Sequence, residues 1–287
     1  MIWQELGLPG LADVHVHFLP EPVMRKVWAY FDDAEQHYGT AWPVQYRLPQ
    51  DERLAVLRAL GVRAFPALVY PHKPGMAAWL SSWALDLADA EPDVVASATF
   101  FPEPTAVAEV VTAIGRGARL FKAHVQVGGY DPRALELDAV WGTLAEAGIP
   151  TVIHCGDGPV PGRHTGVGPV TEVLARHPRL PLVIAHAGSP RYEDFLALAE
   201  RHDNVALDTT MAFTDFMARS ALFPDELLPQ LFELGLAGKV LLGTDFPSIP
   251  YPYEHQLEAL VRLDLGEQWL RQVLWHAPGR VLGLAQA

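Results

Sequence analysis

The chain has 287 residues, half of them hydrophobic, so it can bury a large core and has an ordinary length for an α/β barrel. Its 21 lysines and arginines face 34 aspartates and glutamates, and the resulting formal charge of −13 argues against nucleic acid or an anionic membrane as a general partner. Cys155 is the only cysteine, so no intrachain disulfide can form. The first residues lack the basic and apolar regions of a signal peptide, and no charge-free apolar run is long enough to span a membrane. We therefore expect a cytoplasmic protein.

Short apolar, β-branched runs alternate with helical patterns along the chain. The predicted strands are residues 12–17, 62–70, 94–101, 120–126, 151–155, 182–186, 205–209 and 240–244. The predicted helices are residues 51–60, 76–90, 105–116, 133–147, 167–176, 190–201, 225–234, 254–263 and 267–284. This alternation predicts a parallel α/β sheet closed into a (β/α)8 TIM barrel. An open doubly wound sheet is the alternative, but no glycine-rich dinucleotide fingerprint supports it.

One long irregular segment, residues 18–50, follows the first predicted strand. Its aromatic content, which includes Trp28, Tyr30, Phe31, Tyr38, Trp42 and Tyr46, argues against disorder. A connection after a barrel strand lies on the face where active sites form, so we interpret the segment as a partial lid with a short helix, or else as a structural cover. No linker-like change in composition occurs, so we expect one domain over residues 1–287.

Four predicted strands end in side chains that bind metals or transfer protons. His15 and His17 end the first strand, His154 the fifth, His186 the sixth and Asp245 the eighth. His15 and His17 lie on one face about 7 Å apart, because side chains alternate along a strand. In a closed parallel barrel all these ends meet on one face, and imidazole with carboxylate suits Zn²⁺ and other first-row ions.

These motifs give the chain a clear resemblance to a known family. Asp13-Val-His15-Val-His17, Val152-Ile-His154, Val183-Ile-Ala-His186-Ala-Gly188 and Leu242-Gly-Thr-Asp245-Phe-Pro247 stand in the order found in the amidohydrolase superfamily. The chain resembles its amidohydrolase-2 branch, which is related to aminocarboxymuconate-semialdehyde decarboxylase.

The resemblance implies one divalent metal ion, zinc by first choice, held by His15, His17, His154 and Asp245. It places His186 beside the attacking water or the substrate. A metal lowers the pKa of a bound water, Asp245 can take that water's proton, and His186 can orient the water or stabilise an oxyanion. Barrels of this family often pair, so a homo-oligomer is compatible with the resemblance, although no feature of this sequence marks an interface.

Lys122 and His124 end the fourth predicted strand on one face. The resemblance allows a second metal bridged by a carboxylated Lys122, but we favour one metal with Lys122 as an unmodified group behind the ligands or at the substrate. His124 is either a substrate contact or a barrel-interior histidine.

Other candidates follow from charge and position. Arg163, Arg191 and Arg47 could clamp a substrate carboxylate, because a guanidinium binds carboxylate in a bidentate manner, or they could be solvated surface residues. Asp208 ends the seventh predicted strand and could accept a hydrogen bond from a ligand.

The predicted function is hydrolysis of a small ester, lactone or amide by a metal-activated water. Non-oxidative decarboxylation of an unsaturated or aromatic carboxylic acid uses the same metal set and is the alternative. A non-catalytic barrel that only binds a small molecule is a third hypothesis.

Overall fold

The fold is a (β/α)8 TIM barrel, as the sequence predicts, in a computed structural model that describes residues 1–284. Nine short parallel strands occupy eight positions around the barrel. They are β1 (Leu11–Ala12), β2 (Val62–Pro66), β3 (Val94–Val95), β4 (Ser97–Thr99), β5 (Leu120–His124), β6 (Thr151–His154), β7 (Leu182–Ile184), β8 (Val205–Asp208) and β9 (Val240–Leu241). The third position is divided at Ala96, because β3 pairs only with β2 and β4 only with β5.

The barrel closes through the segments that carry the predicted ligands. The predicted end of the first strand at His17 is wrong. The regular strand ends at Ala12, and His15 and His17 lie beyond it. The His17 amide donates to the carbonyl of Phe246 at 2.7 Å, and the Asp245 amide donates to the carbonyl of His15 at 2.9 Å. These bonds join the first position to the eighth.

Helices surround the strands and cover the ends of the barrel. They are α1 (Ile2–Glu5), α2 (Glu21–Asp32), α3 (Ala34–Tyr38), α4 (Gln50–Leu60), α5 (Ala77–Ala90), α6 (Ala106–Gly115), α7 (Val125–Gly128), α8 (Leu135–Ala147), α9 (Val167–Arg176), α10 (Tyr192–Arg201), α11 (Asp215–Ala221), α12 (Leu228–Leu236), α13 (Tyr253–Arg262), α14 (Glu267–Arg271) and α15 (Ala277–Val281). Single turns of 3₁₀ helix occupy Ala185–Gly188 and Asp225–Leu227, and a π-helical turn occupies Gln272–His276. Over residues 1–284, no helix is long and apolar enough to cross a membrane.

Two helices begin two residues later than the sequence predicts. α8 starts at Leu135, after a turn in which the Asp131 carboxylate accepts hydrogen bonds from the amide and guanidinium of Arg133. α10 starts at Tyr192, after a left-handed Gly188. Gly148 ends α8 in the left-handed conformation.

Apolar side chains from different strand positions fill the barrel interior. Ala64, Leu120, Val152, Val183 and Leu241 pack against one another with almost no solvent exposure. On four of these strands the layer lies two to four residues before the polar residue at the strand end, so the functional side chains rest on a close-packed floor.

The tight contact between α12 and α14 gives a test of the packing. A Cβ on Gly235 would overlap the indole of the buried Trp269, so Gly235→Ala should lower the free energy of unfolding by about 1–3 kcal/mol. Gly115, at the end of α6, has open space around its Cα, and Gly115→Ala should raise stability by up to about 1 kcal/mol. Urea unfolding measures both variants, and an equal effect of the two would contradict the packing described here.

Candidate metal centre

Three of the predicted ligands converge at the carboxyl-terminal face of the barrel. The His15 Nε2 and His17 Nε2 atoms are 3.2 Å apart, and the Asp245 Oδ1 lies 3.6 Å from the first and 3.0 Å from the second. Two atoms bound tetrahedrally to one ion at about 2.1 Å lie about 3.4 Å apart. The three separations therefore fit a common cation.

The hydrogen bonds on the far side of both rings show why a cation suits this position. The Nδ1 of His15 donates to the Asp208 carboxylate at 2.8 Å, and the Nδ1 of His17 donates to the carbonyl of Leu68 at 2.9 Å. In the neutral rings both Nε2 atoms thus present lone pairs to each other and to Asp245. The Lys122 Nζ, 2.9 Å from the His15 Nε2, offers a hydrogen bond to that atom alone, whereas a cation between the three atoms would satisfy all three contacts.

Burial favours the neutral form of His15 and His186, and metal binding requires a neutral imidazole. Desolvation, reinforced by the Lys122 charge, lowers the pKa of His15 to about 4, and desolvation is also the main reason that the pKa of His186 falls to about 4. Burial raises the pKa of Asp13 to about 7, although Thr244 donates to its carboxyl group at 2.6 Å.

His154 lies outside this three-residue group. Its Nε2 donates to the carbonyl of Gly158 at 2.9 Å, so only Nδ1 is free to bind a metal. Its ring stacks on His124 with centroids 4.1 Å apart, because the two residues are paired in register on β6 and β5. The His124 Nδ1 accepts from the amide of Val127 at 3.3 Å, which leaves the proton of the neutral ring on Nε2.

His186 and Asp245 both adopt backbone conformations that are rare outside glycine. Their φ angles are 57° and 71°. Asp208 holds the first of these turns, because its Oδ1 accepts from the His186 amide at 2.9 Å while its Oδ2 accepts from His15. The Nδ1 of His186 donates to the carbonyl of Thr210 at 3.1 Å, so its Nε2 is free to accept.

Lys122 is fully buried beneath the three-residue group. Its Nζ lies 2.9 Å from the His15 Nε2, and burial lowers its pKa to about 8 against the opposing pull of Asp208 and Asp245. It does not line the cavity.

A cavity of about 950 Å³ opens over the centre. Residues 18–50, which include α2 and α3, supply part of its wall. The aromatic residues that line it are Tyr30, Phe31, Tyr38, Trp42, Tyr70 and Trp79.

The arginines singled out from the sequence do not line this cavity. Arg191 pairs with Asp157, and Arg47 pairs with Asp32, while Arg163 is exposed. Three basic side chains that the sequence reasoning passed over line it instead: Lys26, His72 and Lys73. His72 and Lys73 follow β2. They could have been predicted by the rule used for His15, that side chains after a barrel strand lie on the active face.

Comparison with known proteins decides the family. The family model described as Amidohydrolase matches residues 12–284. The chain belongs to the amidohydrolase-2 family. It is therefore an enzyme of a metal-dependent family, a hydrolase or a decarboxylase, and not the non-catalytic barrel of the third hypothesis. No curated protein sequence matches the chain.

Solved structures share the barrel at low sequence identity. An uncharacterized TIM-barrel protein from Bordetella bronchiseptica superposes with a TM-score of 0.69 at 16% identity, over 95% of this chain and 98% of that one. A 5-carboxyvanillate decarboxylase from Novosphingobium aromaticivorans, complexed with manganese and 4-hydroxy-3-methoxy-5-nitrobenzoic acid, gives 0.68 at 14%, over 98% and 97%. A probable 2-pyrone-4,6-dicarboxylic acid hydrolase from Acinetobacter baumannii, with citric acid bound, gives 0.62 at 14%, over 96% and 100%.

The contact between Asp208 and His15 gives a test of the metal centre. Asp208→Asn should weaken Zn²⁺ or Mn²⁺ affinity about 10- to 100-fold, because the ring of His15 loses the carboxylate that orients it. Asp138 is a matched control, since it also accepts from a histidine, His177, but does so away from the cavity. Competition titration with a chelating dye should show Asp138→Asn unchanged, and equal affinities in both variants would exclude this role of Asp208.

Proposed function

We propose that the protein hydrolyses an ester, lactone or amide bond in a small organic substrate, with one divalent cation held by His15, His17 and Asp245. Zn²⁺ is the first candidate, because two imidazoles and a carboxylate are a common zinc donor set. His154 can act as a fourth ligand through its Nδ1, which is the nitrogen that Gly158 leaves free.

The hydrogen bond of His186 is the observation that carries this choice of reaction. Because Nδ1 donates to the carbonyl of Thr210, the neutral ring presents an acceptor, Nε2, to the cavity. An acceptor can hold a water molecule by its hydrogen, whereas it cannot donate to an oxyanion. Of the two roles considered for His186, orienting water is the one that this tautomer supports.

The remaining steps follow from the positions of the side chains. A cation held by His15, His17 and Asp245 would supply Lewis-acid chemistry, which polarises a substrate carbonyl and acidifies a bound water. Asp245, which faces both the cation position and the cavity, takes the proton of the attacking water and later delivers it to the leaving group.

Decarboxylation of an unsaturated or aromatic acid is the second candidate. It needs a site for the carboxylate that is lost, and His124 offers that carboxylate a hydrogen bond from its Nε2–H, because the amide of Val127 occupies its Nδ1. Hydrolysis assigns no such task to His124.

The proposal is tested with metal-loaded protein and a panel of lactones, aryl esters and aromatic acids. His186→Gln should retain the metal but lower kcat for a hydrolysed substrate about 100-fold or more, because water orientation is lost. Asp245→Asn should lose both metal and turnover. His276→Gln is the matched control, because His276 lies outside the cavity.

Metal analysis measures how much metal each variant retains, and product detection measures which reaction occurs. Release of CO₂ from an aromatic acid with no hydrolysis of any ester or lactone would reject the proposal in favour of decarboxylation. Full hydrolytic activity in His186→Gln would reject the role given to that ring.

A further inference from the structure

The cavity has a charge pattern opposite to that of the chain. The chain carries a formal charge of −13 and contains only four lysines: Lys26, Lys73, Lys122 and Lys239. Lys26 and Lys73 line the cavity, and Lys122 lies beneath its floor. Asp245 is the only acidic side chain among the lining residues, and a bound cation would neutralise it. An anion that approaches this mouth therefore meets local positive charge.

The two lining lysines are not neutralised by the protein. Neither has a carboxylate within 4.0 Å among residues 1–284, whereas surface arginines such as Arg58 and Arg133 pair closely with acids. His72 lines the same cavity next to Lys73 in the sequence. Burial and the charges of Lys73 and Lys26 lower its pKa, so its ring offers hydrogen bonds and not a third positive charge. We refer to Lys26, His72 and Lys73 as the basic group: two cations and a histidine that line one cavity, with no acid paired to them among residues 1–284.

Two separate parts of the chain bring this group together. Lys26 lies on α2, within the segment that follows β1, and His72 and Lys73 follow β2. Both parts border the same cavity, and Trp79, Tyr30 and Phe31 line it as well. A ligand with a flat apolar body and an anionic end would contact the aromatic rings with its body and the basic group with its end.

We propose that Lys26, His72 and Lys73 form an anion-binding subsite that holds a remote carboxylate of a flat, aromatic or unsaturated substrate while the reacting group lies at His15, His17 and Asp245. This inference rests on the proposed function for the position of the reacting group. It replaces the arginines expected from the sequence with lysines, which bind a carboxylate as point charges and accept several orientations of it.

The test compares two probes, benzoate and isophthalate, by calorimetric titration of the zinc-loaded protein. Benzoate has one carboxylate, which the metal centre takes up, whereas isophthalate has a second one for the subsite. Isophthalate should bind more tightly than benzoate, and this preference should shrink as the salt concentration rises.

Replacement of the lysines should remove that preference. Lys26→Gln and Lys73→Gln should each weaken isophthalate binding about fivefold and the double variant about 20-fold, with benzoate changed less than about twofold. Arg25→Gln is the matched control: it removes one positive charge from the same helix, at a residue that is paired with Glu21 and does not line the cavity. It should leave both affinities unchanged.

Each outcome decides a different point. Equal binding of the two probes by the unmodified protein, or an equal loss in Arg25→Gln, would overturn the subsite. Metal content and turnover are measured on the same preparations. If those fail while the lysine dependence holds, the proposed function falls and the subsite stands; if they hold while the lysine dependence is absent, the subsite alone falls.

Discussion

The buried carboxylate of Asp208 is the contact on which the geometry of the centre depends. One of its oxygens fixes the ring of His15, and the other fixes the amide of His186 in a left-handed turn. One side chain at the seventh barrel position therefore positions His15 from the first and His186 from the sixth. Burial would favour a protonated carboxyl, but the interaction with His15, through its Nδ1 hydrogen bond, and the positive charge of Lys122 outweigh this and keep the pKa of Asp208 below its ordinary value.

The architecture was predictable because it follows from periodicity. Apolar runs of strand length that alternate with helical patterns specify a parallel barrel, and a parallel barrel brings every strand end to one face. The convergence of His15, His17 and Asp245 needs only that rule. Strand bounds were less predictable. Residues 13–17 pair with the segment around Phe246 through a few hydrogen bonds and not through a regular ladder. No local sequence pattern distinguishes such loose pairing from a regular strand.

The remainder of the site depends on contacts that a sequence does not specify. Whether His154 points a free nitrogen at the metal depends on where the carbonyl of Gly158 lies, and that carbonyl belongs to an irregular loop. The arginines predicted to clamp a carboxylate are either paired with nearby acids, as Arg191 is paired with Asp157, or exposed to solvent. The rarity of lysine was visible in the composition, but only the fold shows that Lys26 and Lys73 border one cavity. The chain is acidic overall, whereas two of its four lysines line the cavity over the centre.

If His15, His17 and Asp245 form one metal centre, two imidazoles and one carboxylate share a single cation. The sharing is visible in a crystal structure of the zinc-loaded protein, with anomalous data collected on both sides of the zinc edge. We expect one strong anomalous peak about 2.0–2.2 Å from His15 Nε2, His17 Nε2 and an Asp245 oxygen, with the contact between His15 and Asp208 intact. A peak bound elsewhere, or no peak within coordination distance of these three atoms in protein shown to contain zinc, would contradict it.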